Sequence, residues 1–165
     1  MQSSRSNMII VGMADLNVTK SPLVLVTMGL GSCVGIALYD SVMKIAGLAH
    51  IMLPDSKAIQ NNSNVAKFAD TGIAKTISDM ERLGANRRSM KAKIAGGAQM
   101  FAMNATNDSL RIGDRNVEAT KRILQQHGIP LIASETGANF GRTVELYAED
   151  GRFVIKAVGQ GIRTL

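Results

Sequence analysis

Three side chains in the first third of the chain are of types that could cooperate in acyl transfer: Thr27, Cys33 and His50. A free thiol is only a few per cent ionised at neutral pH, so a nucleophilic cysteine needs a base, and a neighbouring imidazole is the simplest one. Whether Cys33 and His50 meet depends on the turn between them. Val34, Ile36 and Leu38 alternate with Cys33, Gly35, Ala37 and Tyr39, which reads as a strand ending at Asp40 and Ser41. A second apolar run, residues 45–53, stops at Pro54 and Asp55. A hairpin loop of two or four residues centred between Ser41 and Val42 pairs Cys33 directly with His50, their Cβ atoms about 5 Å apart on one face. The same register pairs Gly35 with Leu48 and Ala37 with Ala46, small side chains that leave room beside the thiol. A one-residue bulge would break it.

The residues just before Cys33 suit the same chemistry. Residues 23–28, Leu-Val-Leu-Val-Thr-Met, read as a strand, and Gly29-Leu30-Gly31-Ser32 then breaks it in a sharp turn. That turn brings the backbone N–H groups of Gly31, Ser32 and Cys33 together as candidate donors to a developing oxyanion. Thr27, at the end of the strand, is placed to accept the second ring N–H of His50 and so fix its tautomer. A bland reading stands beside this one: a lone Cys at the start of an apolar strand can be a small buried hydrophobe, and a lone His in a strand can be structural. Residue pattern alone leaves both open. His127, at a helix C-terminus, reads as structural. The glycines at 29, 31 and 35 lack the dinucleotide-binding spacing, and no phosphate loop ends in Gly-Lys-Ser or Gly-Lys-Thr. One cysteine and two histidines offer no usual metal-ligand spacing, so neither a metal nor a cofactor is expected.

The elements that must position these groups form one domain. Residues 1–7 read as a polar tail, and nothing in residues 8–165 divides the rest. Ser63 can cap a helix whose inward stripe is Ala66, Ala69, Ile73, Ile77, Met80 and Leu83, closed by Gly84. Residues 91–95 form a short strand running into Gly96-Gly97. Asp114 caps a second helix through Val117, Thr120, Leu124 and His127, ended by Gly128 and Pro130. Further strands are expected at residues 131–133, 143–148 and 152–158. Strands outnumber helices and the early ones are hairpin-linked, so the class is α+β with a mixed, largely antiparallel sheet.

At 165 residues the chain can bury about 70% of its unfolded surface, so it needs no disulfide staples. No apolar run reaches the roughly 20 residues of a membrane span, and the start of the chain has no apolar signal core, so a cytoplasmic protein without direct membrane insertion is expected. The formal charge is +6, and the excess is partly local: Arg82, Arg87, Arg88, Lys91 and Lys93 lie in a stretch where no acid follows Glu81 until Asp108. Nucleic acid is disfavoured as the partner, because single-strand binders interleave aromatics with cations and only Phe101 lies near.

The stretch Val26-Thr27-Met28-Gly29-Leu30-Gly31-Ser32-Cys33-Val34-Gly35, followed by Gly47-Leu48-Ala49-His50-Ile51-Met52-Leu53-Pro54-Asp55-Ser56, closely resembles the chemoreceptor glutamine deamidases of bacterial and archaeal chemotaxis, the CheD family. The resemblance continues through Lys67-Phe68-Ala69-Asp70, Lys93-Ile94-Ala95-Gly96-Gly97-Ala98-Gln99-Met100-Phe101, Ile112-Gly113-Asp114-Arg115-Asn116 and Gly141-Arg142. It implies a layered α/β/β sandwich, similar to cysteine deamidase toxins. It also implies Cys33 as nucleophile, His50 as general base and acid, and Thr27 as the residue orienting the imidazole. The implied reaction is hydrolysis of selected glutamines on methyl-accepting chemotaxis receptors to glutamates through a Cys thioester. Some relatives cleave receptor methyl esters by the same route, and many bind a CheC-type phosphatase. One departure is local: the family usually has Asp at Glu135, and Gly-Gly where this chain has Gly137-Ala138. Because a receptor methylation helix is acidic, Arg87, Arg88 and Lys91 are expected to assist docking. A competing class, a non-enzymatic adaptor binding receptors or the phosphatase, would have no chemical need of Thr27, Cys33 and His50 together.

Overall fold

The computed structural model describes residues 6–100 and 111–165. Among them, ten strands form two five-stranded sheets and two α-helices pack on one of these. The first sheet runs β1 (Met8–Val11), β3 (Val24–Leu30), β8 (Arg142–Tyr147), β9 (Phe153–Ala157) and β10 (Gly161–Thr164) in spatial order. The second runs β2 (Asp15–Lys20), β5 (Ile45–Ile51), β4 (Val34–Asp40), β6 (Met90–Gly96) and β7 (Leu131–Thr136). Each sheet has one parallel pair, β1 with β3 and β6 with β7; the other pairs are antiparallel. Helix α1 (Ala69–Arg82) lies before β6 in the chain, and α2 (Ile112–Gln126) lies between β6 and β7.

Strand alternation creates the layers. Val34, Ile36 and Leu38 of β4 and Ile45, Ala49 and Ile51 of β5 face the helices, where they meet Ile73, Ile77, Met80, Val117, Ile123 and Leu124. The alternate residues Ala37, Ala46, Leu48 and Ala95 face the first sheet and pack on Leu25, Val144, Leu146, Phe153 and Ile155. Successive side chains of a strand point to opposite faces, so one pair of strands serves two cores. The result is the expected α/β/β sandwich. No described helix is long and apolar enough to cross a membrane.

The hairpin register differs from the expected one by two positions. Gly35, not Cys33, stands opposite His50, and Ala37 and Tyr39 face Leu48 and Ala46. Buried Asp40 is the cause. It stays in the strand, and its Oδ1 accepts from the N–H groups of Val42 and Met43 at 2.9 and 3.1 Å, so the four-residue turn begins one residue late and closes with Lys44 at φ 53°. A shift of two keeps every side chain on its expected face, which a shift of one would have reversed.

Helix starts differ as well. Ser63 does not cap α1: Asn64 caps a short 3-10 turn, Val65–Lys67, and α1 begins after extended Phe68. Asp114 lies in the first turn of α2 rather than before it. Strands β1, β2 and β10 were not anticipated. The proposed tail is engaged at its end, where the Asn7 carbonyl accepts from Val24 N–H at 2.8 Å.

Candidate active site

Cys33 sits one residue before β4, in the turn that leaves β3, and His50 sits near the end of β5. Since Gly35 is the partner of His50, Cys33 lies diagonally across from the imidazole on the same face, a Cβ separation of about 7 Å. Gly35 between them has no side chain to intrude; a Cβ there would lie 2.9 Å from Leu30 Cδ1.

Thr27 reaches His50 from the opposite sheet. Its Oγ1 donates to the Val11 carbonyl at 2.7 Å, which commits the hydroxyl proton to β1. The same oxygen lies 2.7 Å from His50 Nδ1, where it can only accept, so the ring carries its proton on Nδ1. Nε2 is therefore a bare lone pair, and it is buried with no hydrogen-bond partner among the described residues. Asp15, opposite His50 on β2, does not take the orienting role, because Nδ1 is held by Thr27 and Nε2 has no partner among the described residues.

Thr27 and His50 are 0% exposed and Cys33 is 7% exposed, so all three residues are buried and the nucleophile is the least deeply covered of them. Burial pushes the His50 imidazole down to about 4. Burial also pushes the Cys33 thiol up, partly offset by a hydrogen bond from its own backbone N–H. At neutral pH the pair is thus a neutral thiol beside a neutral imidazole. Such a pair can pass the thiol proton to Nε2 as sulfur attacks a carbonyl carbon, and the buried imidazolium so formed is eager to return it.

The turn before Cys33 is held from one side. The carbonyls of Gly31 and Cys33 accept from the N–H groups of Ala98 and Gly97, each at 2.8 Å, and the Ser32 carbonyl accepts from Asn116 Nδ2 at 2.9 Å. The approach is close enough to demand glycines: a Cβ on Gly96 would collide with the Cys33 carbonyl, and one on Gly113 with the carbonyls of Gly97 and Ala98. Of the three candidate oxyanion donors, Gly31 N–H is already engaged with the Gly29 carbonyl at 3.1 Å. Ser32 and Cys33 retain N–H groups with no carbonyl partner among the described residues.

Two polar groups near the turn escaped the residue-by-residue reading. Asn116 is fully buried on α2, and its signal was a polar side chain on the inward stripe of an amphipathic helix. Arg142, also buried, donates from Nε to Glu135 and from Nη1 to the Gly137 carbonyl at 3.0 Å. The departure at Glu135-Thr136-Gly137-Ala138 thus lies in a loop held by this ion pair, with Ala138 at φ 59° and its carbonyl accepting from Gln99 N–H.

The basic residues expected to dock a partner are not brought to this site. Met90 pairs with Asp40 and Gly96 with Val34, so Lys91 and the 3-10 turn Arg87–Ser89 stand at the opposite end of the sheet from Cys33. Six strand residues put Lys91 about 20 Å away. Arg87 is also paired with Glu81 at 3.3 Å. A cavity of about 200 Å³ at that end, lined by Tyr39, Lys91, Lys93 and Asp150, reaches none of Thr27, Cys33 or His50. An open groove of about 380 Å³ runs past Gly29, Phe140 and Arg142, beside the turn. Phe101 lies outside the described residues. Among the described residues no group of three or more His, Cys, Asp or Glu could hold a metal ion.

Residues 52–157 match the family described as CheD chemotactic sensory transduction. The chain is 55% identical over 158 residues to a protein of Caldanaerobacter subterraneus subsp. tengcongensis, covering 96% of this chain and 98% of that one. It is 57% identical over 153 residues to a protein of Lachnoclostridium phytofermentans, covering 93% and 95%. Both carry the name probable chemoreceptor glutamine deamidase CheD. A third relative, the chemoreceptor glutamine deamidase CheD of Halalkalibacterium halodurans, is 53% identical over 152 residues, 92% of this chain and 94% of that one. With a family match across most of its length and identity above one half across nearly all of it, the chain belongs to the CheD family.

Proposed function

We propose that this protein is a protein-glutamine deamidase that converts selected glutamines of methyl-accepting chemotaxis receptors to glutamates in the cytoplasm. One observation carries the reading: His50 spends Nδ1–H on Thr27 and keeps Nε2 without a partner among the described residues, on the sheet face it shares with Cys33. The names of the relatives in three organisms support the substrate class.

The reaction runs in two halves. The Cys33 thiol gives its proton to His50 Nε2 while sulfur bonds to the carboxamide carbon, and the carbonyl π pair moves onto oxygen. The N–H groups of Ser32 and Cys33 receive that oxyanion. As the tetrahedral species collapses the C–N bond breaks, Nε2–H protonates the leaving nitrogen, and ammonia departs from a glutamyl thioester. Water then gives a proton to Nε2 as its oxygen attacks the thioester carbon. Collapse of this second adduct breaks the C–S bond, returns the proton to sulfur and leaves the acid. Thr27 holds the ring in the one tautomer that serves both halves. Its neutral hydroxyl stabilises the imidazolium less than a carboxylate would, and so leaves uncompensated the burial that pushes His50 down.

The test is incubation of purified protein with cytoplasmic fragments of receptors from the same cell, with Gln-to-Glu conversion mapped by peptide mass spectrometry. Conversion by the wild type and its loss in Cys33→Ala is the expected result. Conversion that persists in Cys33→Ala removes the nucleophile from this reading, and a wild type that binds the fragments without converting them makes the protein an adaptor. The family resemblance adds a CheC-type phosphatase as a further partner, to be tested by co-elution with the purified chain.

A further inference from the structure

We propose that Asn116 is a positioning residue that turns the Ser32–Cys33 peptide so that the Cys33 N–H faces the substrate oxyanion. The inference rests on the deamidase reading and adds a residue to it. Asn116 is 0% exposed, and its Nδ2 donates to two carbonyls, Ser32 at 2.9 Å and Met52 at 2.9 Å. Two carbonyl acceptors on one atom fix the amide orientation, since the flipped form would set Oδ1 against both.

The bonded carbonyls belong to the two segments whose spacing matters. Ser32 immediately precedes the nucleophile, and Met52 follows β5 two residues after His50. One side chain thus ties the thiol turn to the end of the strand that carries the base. The peptide geometry adds the second consequence. In a trans peptide C=O and N–H point in opposite directions, so anchoring the Ser32 carbonyl toward α2 turns the Cys33 N–H the other way. Ala98 N–H does the same for the Gly31–Ser32 peptide by holding the Gly31 carbonyl at 2.8 Å, which turns out the Ser32 N–H. The two candidate donors are therefore aimed by hydrogen bonds made behind them, and at the nucleophile itself the bond is made by a replaceable side chain, so that the Cys33 N–H faces its own sulfur and the bond forming there. Among the described residues the hydrogen bonds of the Asn116 amide are those its Nδ2 donates, and its buried Oδ1 has no partner.

Asn116→Asp keeps the shape and removes both donors; Asn116→Ala removes the side chain. Each is assayed for kcat and KM on the receptor fragment, and for iodoacetamide alkylation of Cys33 at pH 9, a reaction that develops no oxyanion. In both variants kcat should fall roughly 10²-fold, the effect of losing one oxyanion donor, with KM and the alkylation rate within about threefold of wild type. A kcat within threefold of wild type overturns the proposal. So does a parallel fall of alkylation and kcat, which would mean that α2 merely supports the whole site.

Wild-type protein supplies a measurement independent of whether the variants fold. The Nδ2 protons of Asn116 should exchange with solvent at least about 10²-fold more slowly than those of exposed Asn61. Equal exchange overturns the proposal. Wild type that never converts glutamine sinks the deamidase reading instead, and the exchange measurement still decides whether Asn116 holds the turn.

Discussion

The two faces of the second sheet are built from alternate residues of the same strands, yet they differ in kind. Toward the helices β4 and β5 present Val34, Ile36, Leu38, Ile45 and Ile51, large and 0–1% exposed. Toward the first sheet they present Gly35, Ala37, Ala46, Leu48 and His50. The first set locks two helices in place by bulk. The second is small enough to let a hydroxyl from the opposite sheet reach the imidazole, and it accepts a buried Nε2 that has no partner among the described residues, a local cost of about 1–3 kcal/mol. Both faces are packed, but only the one toward the first sheet also holds reactive polar groups under mild local destabilisation.

Substitutions on the two faces should therefore separate. His50→Gln on the reactive face should lower kcat by roughly 10³-fold and leave thermal stability near wild type or above it, checked by ammonia release and calorimetry. Ile73→Ala on α1 should do the reverse, costing roughly 2–5 kcal/mol of unfolding free energy while the folded enzyme keeps its kcat, checked by urea titration beside the same assay. A large loss of kcat in folded Ile73→Ala would end the division of labour.

Acid should act most strongly through the reactive face, with a contribution of the same sign from His127, whose imidazole is pushed down by burial and by the nearby Arg87. The unfolded imidazole of His50 takes up a proton near pH 6.5 and the folded one only near pH 4, so the unfolded state binds more protons in between and stability falls as pH drops through that window. The His50 share of the loss should reach about 3 kcal/mol by pH 4 and disappear in His50→Gln, as read from the difference between the two proteins' denaturant midpoints across pH. In the same protein the alkylation rate of Cys33 should keep rising above pH 9, with no thiolate plateau between pH 6 and 8. A plateau there would mean a thiolate–imidazolium ion pair at rest. The smallest effect belongs to the far end of the sheet: Arg88→Glu with Lys91→Glu should change KM by less than about twofold at physiological salt, since these charges stand beyond two Debye lengths of about 8 Å from Cys33. A larger, salt-sensitive change would extend the receptor contact along the whole sheet.

Much of the fold was legible because its signals are local. Alternation in residues 34–40 and the three-and-four spacing of Ala69, Ile73, Ile77 and Met80 mark β4 and α1 with no knowledge of their partners. Strands β1, β2 and β10 escaped because they are edge strands with at most one fully buried residue each, so one-sided burial hardly marks them. Ser63 gave way to Asn64 because an intervening 3-10 turn shares the same polar spacing.

What the sequence by itself determined is the identity of the reactive groups and the face each one occupies: Cys33 and His50 share a parity that a register shift of two cannot change. Only the tertiary structure decided which partner each of them has. Asp40 set the register by capturing the turn amides, Thr27 came to His50 from the other sheet, and Asn116 came to Ser32 from a helix far along the chain. The physical reason is range. Side-chain direction along a strand repeats every two residues and can be read from neighbours, whereas a hydrogen bond between layers exists only once the layers have packed.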